Sequence, residues 1–214
     1  MDHKLHYLQT KKTARVFTYG ELNDQTKYIW FLIHGYAQTA DHLIQSFQAL
    51  GESHFLIAPE ALNHFYSRGL SGTPVTSWMT SLMREEQIND YIHYLDQVYE
   101  NFKSNHDCKI IVAGFSQGVS TASRWVNNGN IPFHHLVLIA GNIAAEMQQA
   151  IPEIIRSKQN LYLYGSNDSL IKKDQLLSIK DQFSSKTEFM EFNGKHEVNE
   201  ETILCIKEWL RQLD

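Results

Sequence analysis

Cysteine and proline are scarce, and positive charge is in deficit. Only Cys108 and Cys205 occur in 214 residues. Each sits among apolar neighbours and reads as a reduced, buried small hydrophobe, which points to the cytoplasm. On sequence, a bridge between the two stays open. Four prolines, no internal repeat and no low-complexity tract leave no sign of a linker. Residues 1–214 therefore read as a single domain, with 43% hydrophobic content to fill its core. Nineteen Lys and Arg stand against 24 Asp and Glu, a net charge of −5. That is the reverse of the basic footprint of a nucleic-acid binder. Long apolar runs are missing too. Runs such as residues 28–33 are far too short to cross a bilayer, so no transmembrane segment is expected. The opening Met-Asp-His-Lys-Leu-His lacks the charged-then-apolar order of a signal peptide.

What is present is an alternation of short apolar runs with helical patterns. Residues 4–9 and 14–19 read as two strands separated by Lys11 and Lys12. Tyr28-Ile-Trp-Phe-Leu-Ile33 is near-continuously apolar, as in a central strand buried on both faces. It ends in His34-Gly35-Tyr36-Ala37-Gln38. Thr39 precedes a helical pattern over residues 40–50, with Leu43, Ile44, Phe47 and Leu50 on one face and Gly51 at the stop. Residues 54–58 form the next strand, closed by Pro59. Residues 60–80, with Gly69, Gly72 and Pro74, read as a long loop whose aromatic residues argue against disorder. Residues 82–102 are the clearest helix, with Ile88, Tyr91, Ile92, Leu95, Val98, Tyr99 and Phe102 spaced by threes and fours. Further strands are expected at residues 110–113, 136–140, 161–164 and 187–192. Helical patterns follow each, the last one capped by Asn199. Strands alternating with helices imply a mostly parallel sheet covered on both faces.

One stretch carries chemistry. Cys108-Lys-Ile-Ile-Val-Ala-Gly-Phe-Ser-Gln-Gly-Val-Ser120 is a strand, a tight turn and the start of a helix, with Ser116 at the apex. The Gly114-x-Ser116-x-Gly118 elbow needs its glycines because the turn is strained and passes close to its neighbours. A chance match in a chain of this composition is on the order of a few per cent. Serine is a weak nucleophile and needs a base, and histidine has suitable acidity near neutral pH. An acid must then hold the imidazole in the correct tautomer. Asp168, in Gly165-Ser-Asn-Asp168, and His196, in Asn193-Gly194-Lys195-His196, each follow a strand, in the chain order expected after such an elbow. Asp174 is the fallback acid. Among eleven histidines, His34 reads as support for its turn, and the adjacent His134 and His135 as strand-boundary residues that would not face one metal. The backbone N–H groups of Gln117 and Tyr36 are the candidate oxyanion donors. Phe65, Tyr66, Trp78 and Met79 are the candidate substrate-binding wall. Arg68 could meet an anionic group, but a solvated charge is the plainer reading.

The chain resembles the α/β-hydrolases, and more narrowly the phospholipase/carboxylesterase family that includes the acyl-protein thioesterases. The matching pieces are Leu32-Ile-His-Gly35, Ala58-Pro59, Ser77-Trp78, Gly114-Phe-Ser-Gln-Gly118, Tyr164-Gly-Ser-Asn-Asp168 and Gly194-Lys-His196, in the family's order. The resemblance implies a central sheet of about eight strands and no large cap domain. It also implies a triad of Ser116, Asp168 and His196 and an oxyanion hole at Tyr36 and Gln117. The chain departs from the family's pattern at Ala37-Gln38, at Met79-Thr80 and at Ser169-Leu-Ile-Lys172. These positions fall in pocket walls and bear on the substrate rather than on the chemistry.

The expected activity is cleavage of a carboxylic ester, or thioester, through an acyl-enzyme on Ser116. No metal or cofactor is required. The expected partner is a small-molecule or acyl ester substrate, with the protein a monomer or homodimer. Two other readings are a peptidase of the same fold and a non-catalytic binding protein on a hydrolase scaffold.

Overall fold

The computed structural model describes residues 3–104, 106–171, 173–183 and 185–213. The chain runs β1 (Val16–Tyr19), β2 (Tyr28–Ile33), α1 (Ala40–Phe47), β3 (His54–Pro59), β4 (Asn63–Arg68), β5 (Ser71–Ser77) and α2 (Arg84–Phe102). It continues through β6 (Lys109–Phe115), α3 (Gln117–Asn128), β7 (His135–Ile139), α4 (Glu153–Arg156), β8 (Asn160–Gly165), α5 (Lys173–Gln182), β9 (Thr187–Phe192) and α6 (Glu200–Arg211). Among the described residues, seven strands form one sheet in the order β1-β3-β2-β6-β7-β8-β9. β1 lies antiparallel to β3, and the other neighbours pair in parallel. This is the α/β-hydrolase architecture.

Alternation along β2 shows how the layers are made. Ile29, Phe31 and Ile33 join one buried cluster with residues of α2 and α3, such as Leu95 and Trp125. Tyr28, Trp30 and Leu32 join the other with residues of α1 and α6, such as Phe47 and Trp209. Each large side chain so buried stabilises the fold by about 1.5–3 kcal/mol. Both faces of β2 are covered, which is why its sequence is apolar throughout.

The strand order places the functional edge. From β2 the chain moves to β3 on one side, then crosses to β6 on the other. The β2–β6 pair is therefore the topological switch point, and the crevice beyond its carboxyl ends is the ligand position in open α/β sheets. Ser116 follows β6 there, and Tyr36 follows β2.

Three expectations need correction. Residues 4–9 form no strand; Leu5, Tyr7 and Leu8 are exposed and meet no sheet edge. Residues 60–80 are not a long loop but largely an antiparallel ribbon of β4 and β5, turning at Gly69 and Leu70. Pro74 hid that strand, yet a proline is tolerated in a two-stranded ribbon whose outer β5 edge is bridged, among the described residues, only at Thr76. Among the described residues the central sheet accordingly has seven strands where about eight are expected, with the ribbon separate.

Candidate active site

Ser116 sits between the end of β6 and the first turn of α3 with φ 53° and ψ −117°. No β-branched or bulky residue sits comfortably there, and such strain is found where structure over-determines the backbone. Close packing imposes it. A Cβ on Gly118 would stand 2.0 Å from the Ile33 carbonyl oxygen, and one on Gly114 would stand 2.4 Å from that of Gly118. Gly141, after β7, is hemmed in by the Ser116 carbonyl oxygen at 2.4 Å. Positive φ at non-glycine residues recurs along this edge, at Ala37 (56°) after β2 and Ala140 (49°) after β7.

The β8 and β9 exits are laced together. Ser166 N–H donates to the Phe192 carbonyl at 3.0 Å, and Asn167 N–H to that of Gly194 at 2.9 Å. Gly165 must be glycine, since a Cβ would lie 2.5 Å from the Lys195 carbonyl oxygen. Asn199 then starts α6 with a capping box, its side chain accepting from Thr202 N–H at 3.0 Å. Asp168 and His196 are thereby brought together from positions 28 residues apart.

His196 Nδ1 stands 2.8 Å from Asp168 Oδ2, and His196 Nε2 stands 2.8 Å from Ser116 Oγ. The Asp168 side chain is 1% exposed and that of His196 21%. Asp168 Oδ1 also accepts from Leu170 N–H at 2.8 Å and Ile171 N–H at 3.3 Å. A carboxylate so placed takes a proton on Nδ1, which leaves Nε2 to accept from the Ser116 hydroxyl. Phe115 packs against the imidazole with ring centroids 5.1 Å apart. The structure thus draws all three predicted polar side chains into one hydrogen-bonded line. The side chain of Asp174 lies outside the described residues.

Tyr36 and Gln117 flank the same edge, and neither N–H meets a protein acceptor among the described residues. His34 beside them is fully buried. Its Nε2 accepts from Ala61 N–H at 3.0 Å, so Nδ1 carries the proton and donates to the Gly35 carbonyl at 2.7 Å. Burial holds its pKa down at about 4, so the ring is neutral. His134 and His135 are tied separately, His134 Nδ1 accepting from Ile110 N–H and His135 Nδ1 donating to the Gln159 carbonyl. Cys108 and Cys205 are free thiols, only half-buried rather than buried. Among the described residues no cluster of three or more His, Cys, Asp or Glu is placed to hold a metal ion.

The predicted substrate wall divides. Phe65 stacks on the exposed Tyr36 at 5.3 Å, which puts it beside the edge, while Tyr66, the next residue of β4, is half exposed on the other face of the ribbon. Trp78 does neither: it is 1% exposed, with its indole N–H donating to the His34 carbonyl at 2.9 Å and its ring edge-on to Tyr91. An indole needs a partner for its N–H when buried, and the core supplies one here. Met79 is half-buried, its sulfur 4.0 Å from the buried Arg124 guanidinium. A hollow of about 580 Å³ lies between α2 and the β7–α4 connection, bordered by Arg84, Ile88, Ile92 and Glu146, and none of Phe65, Tyr66, Trp78 or Met79 lines it.

Sequence reading missed the Gln117 side chain, taken only as a bearer of backbone N–H. Its Nε2 donates to the Met79 carbonyl at 3.1 Å and its Oε1 accepts from Trp78 N–H at 3.2 Å. It also missed Thr76, 1% exposed, whose hydroxyl donates to the Gln38 carbonyl at 2.9 Å. No local pattern marks either role, because both partners are distant in the chain.

The fold and this edge define an α/β-hydrolase. A family model described as serine hydrolase (FSH1) matches residues 29–202, a span that includes Ser116, Asp168 and His196. The chain belongs to that serine hydrolase family. No curated protein sequence matches it significantly. Solved structures alike in fold include acyl-protein thioesterase 2 of Zea mays, at 17% identity and TM-score 0.70, covering 94% of this chain and 99% of that one. Esterase PE8 gives 17% and 0.71 with the same coverages. A Bacillus cereus carboxylesterase gives 14% and 0.68, covering 94% of this chain and 95% of its own.

Proposed function

We propose that the chain cleaves carboxylic esters, or thioesters, through an acyl-enzyme on Ser116. The observation that supports this most is the line from Ser116 Oγ to His196 Nε2 and from His196 Nδ1 to Asp168, 2.8 Å at each step. His196 takes the Ser116 proton as oxygen attacks the carbonyl carbon, then returns it to the departing alcohol or thiol. Asp168 holds the tautomer and stabilises the imidazolium. The Tyr36 and Gln117 N–H groups receive the tetrahedral oxyanion, where one lost donor typically costs ~3 kcal/mol. Water then repeats the sequence on the acyl-enzyme. Ester rather than amide is favoured by the similarity in fold to proteins named as esterases and a thioesterase. The substrate is a small-molecule or acyl ester, met at Phe65 and Tyr66. The protein is read as a single-domain cytoplasmic one, on the strength of its free thiols. Among the described residues no helix is long and apolar enough to cross a membrane.

The test is hydrolysis of p-nitrophenyl esters from acetate to palmitate by wild type and Ser116→Ala. Turnover by wild type alone supports the reading, and its chain-length profile measures the acyl site. Equal rates for both proteins would overturn it.

A further inference from the structure

Four consecutive residues at the end of β5 touch both halves of the proposed oxyanion pair. On one side, Thr76 forms an antiparallel bridge with Gln38. Its carbonyl accepts from Ala37 N–H at 3.0 Å, and its N–H donates to the Gln38 carbonyl at 3.0 Å. Its hydroxyl adds the 2.9 Å bond to that same carbonyl. Ala37, next to Tyr36, is thus held at φ 56°. On the other side, the Gln117 carboxamide spends both ends on this segment: its oxygen on Trp78 N–H, its nitrogen on the Met79 carbonyl. Ser77 Oγ, also buried, lies 3.3 Å from the same carboxamide and donates to the Met79 carbonyl at 2.9 Å.

We propose that Thr76 and the Gln117 side chain are positioning residues: through the Thr76–Met79 segment they set the separation and aim of the Tyr36 and Gln117 N–H groups. This rests on the ester-hydrolase reading above. The physical reason is geometric. The two donors stand on different elements, Tyr36 on the loop after β2 and Gln117 at the first residue of α3, with no direct bond between them. An oxyanion hole works only when both donors are held at hydrogen-bond distance from one developing charge. Helix α3 fixes the Gln117 backbone on its own side, and the β2 exit carries a left-handed Ala37 that needs outside support. The β5 end supplies a common frame for both. A solvated glutamine at the start of a helix would need neither of these bonds. Trp78 and Met79, two of the four residues expected in the substrate wall, belong on this inference to the brace of the site.

The experiment measures kcat, KM, thermal midpoint and fluorophosphonate labelling rate in wild type, Gln117→Met, Thr76→Ser and Thr76→Val. Fluorophosphonate reports on Ser116 whatever the natural substrate, because its phosphoryl oxygen needs the same donors. Complete loss of one donor lowers kcat 10²–10³-fold, so a misaimed donor is expected to lower kcat and labelling by roughly tenfold or more. Gln117→Met should do so with KM within about twofold and a near-native melting midpoint. Thr76→Val should behave alike, and Thr76→Ser should restore the rate. Unchanged labelling in Gln117→Met, or a rise in KM alone, overturns the proposal. Should Gln117→Met not fold, equal labelling of Thr76→Val and Thr76→Ser overturns it. Wild type that labels but turns over no ester sinks the ester reading, and the labelling rates still decide the positioning roles. Wild type that does neither overturns both.

Discussion

Asp168 Oδ2 lies 2.8 Å from His196 Nδ1, while its other oxygen accepts two backbone N–H groups. The carboxylate is thereby locked toward the imidazole and shielded from water. Asp168→Asn keeps the shape but turns an acceptor into a donor. Nδ1 must then accept, which leaves a proton on Nε2 facing Ser116. We predict a ~10³–10⁴-fold fall in kcat with little change in KM. Steady-state kinetics beside a thermal melt check it; a loss explained by unfolding would show in the melt.

His34 gives a pH dependence of stability. Its folded pKa is depressed from 6.5 to about 4 by burial. The unfolded chain therefore binds more protons between those values, and stability rises with pH across that window. The contribution is complete above about pH 6.5 and is lost as pH falls toward about 4, on the order of 3 kcal/mol in all. His34→Gln should flatten that part of the curve. His134 and His135 are also depressed by burial but are common to both proteins. Urea midpoints of the two proteins at pH 4, 5, 6 and 8 measure the difference.

Gly118→Ala tests how tightly the elbow is packed. The new methyl group would meet the Ile33 carbonyl oxygen at 2.0 Å, and backbone on both sides resists relief. We expect at least about 3 kcal/mol of destabilisation, at the upper end for overpacked sites. Urea denaturation of the purified variant provides the value. A change below about 0.5 kcal/mol would mean that the β2 exit can yield.

Trp78 and Tyr66 should separate core from edge. Trp78→Ala empties a fully buried site and removes the partner of the His34 carbonyl, so about 3–5 kcal/mol of stability should go. Tyr66→Ala, on the half-exposed ribbon, should stay within about 0.5 kcal/mol. If Tyr66 meets the acyl group, its loss raises KM for long-chain esters instead. Denaturation curves and the chain-length panel read the two effects independently.

The residues that announced this fold were those whose signal is local. The all-apolar Tyr28–Ile33 run, the Gly114–Gly118 elbow and the Asn199 cap each state their own conformation, and the structure keeps all three. Asp168 and His196 were legible because strand ends in a parallel sheet share an edge. The β4–β5 ribbon was not, since Gly69, Gly72 and Pro74 read as loop chemistry, and pairing between strands outside the main sheet leaves little periodic trace. Trp78 was placed in a pocket wall because sequence does not tell an aromatic that lines a cleft from one that fills the core. The Gln117 carboxamide bonds are set by residues 38 and 39 positions away, beyond any local pattern.

The most direct test of the Ser116 chemistry is fluorophosphonate labelling read by mass spectrometry of the intact protein and its peptides. A single phosphonyl adduct on Ser116 is expected, absent from Ser116→Ala and strongly slowed in His196→Ala. An adduct on another residue, or no adduct on well-folded wild type, would contradict it.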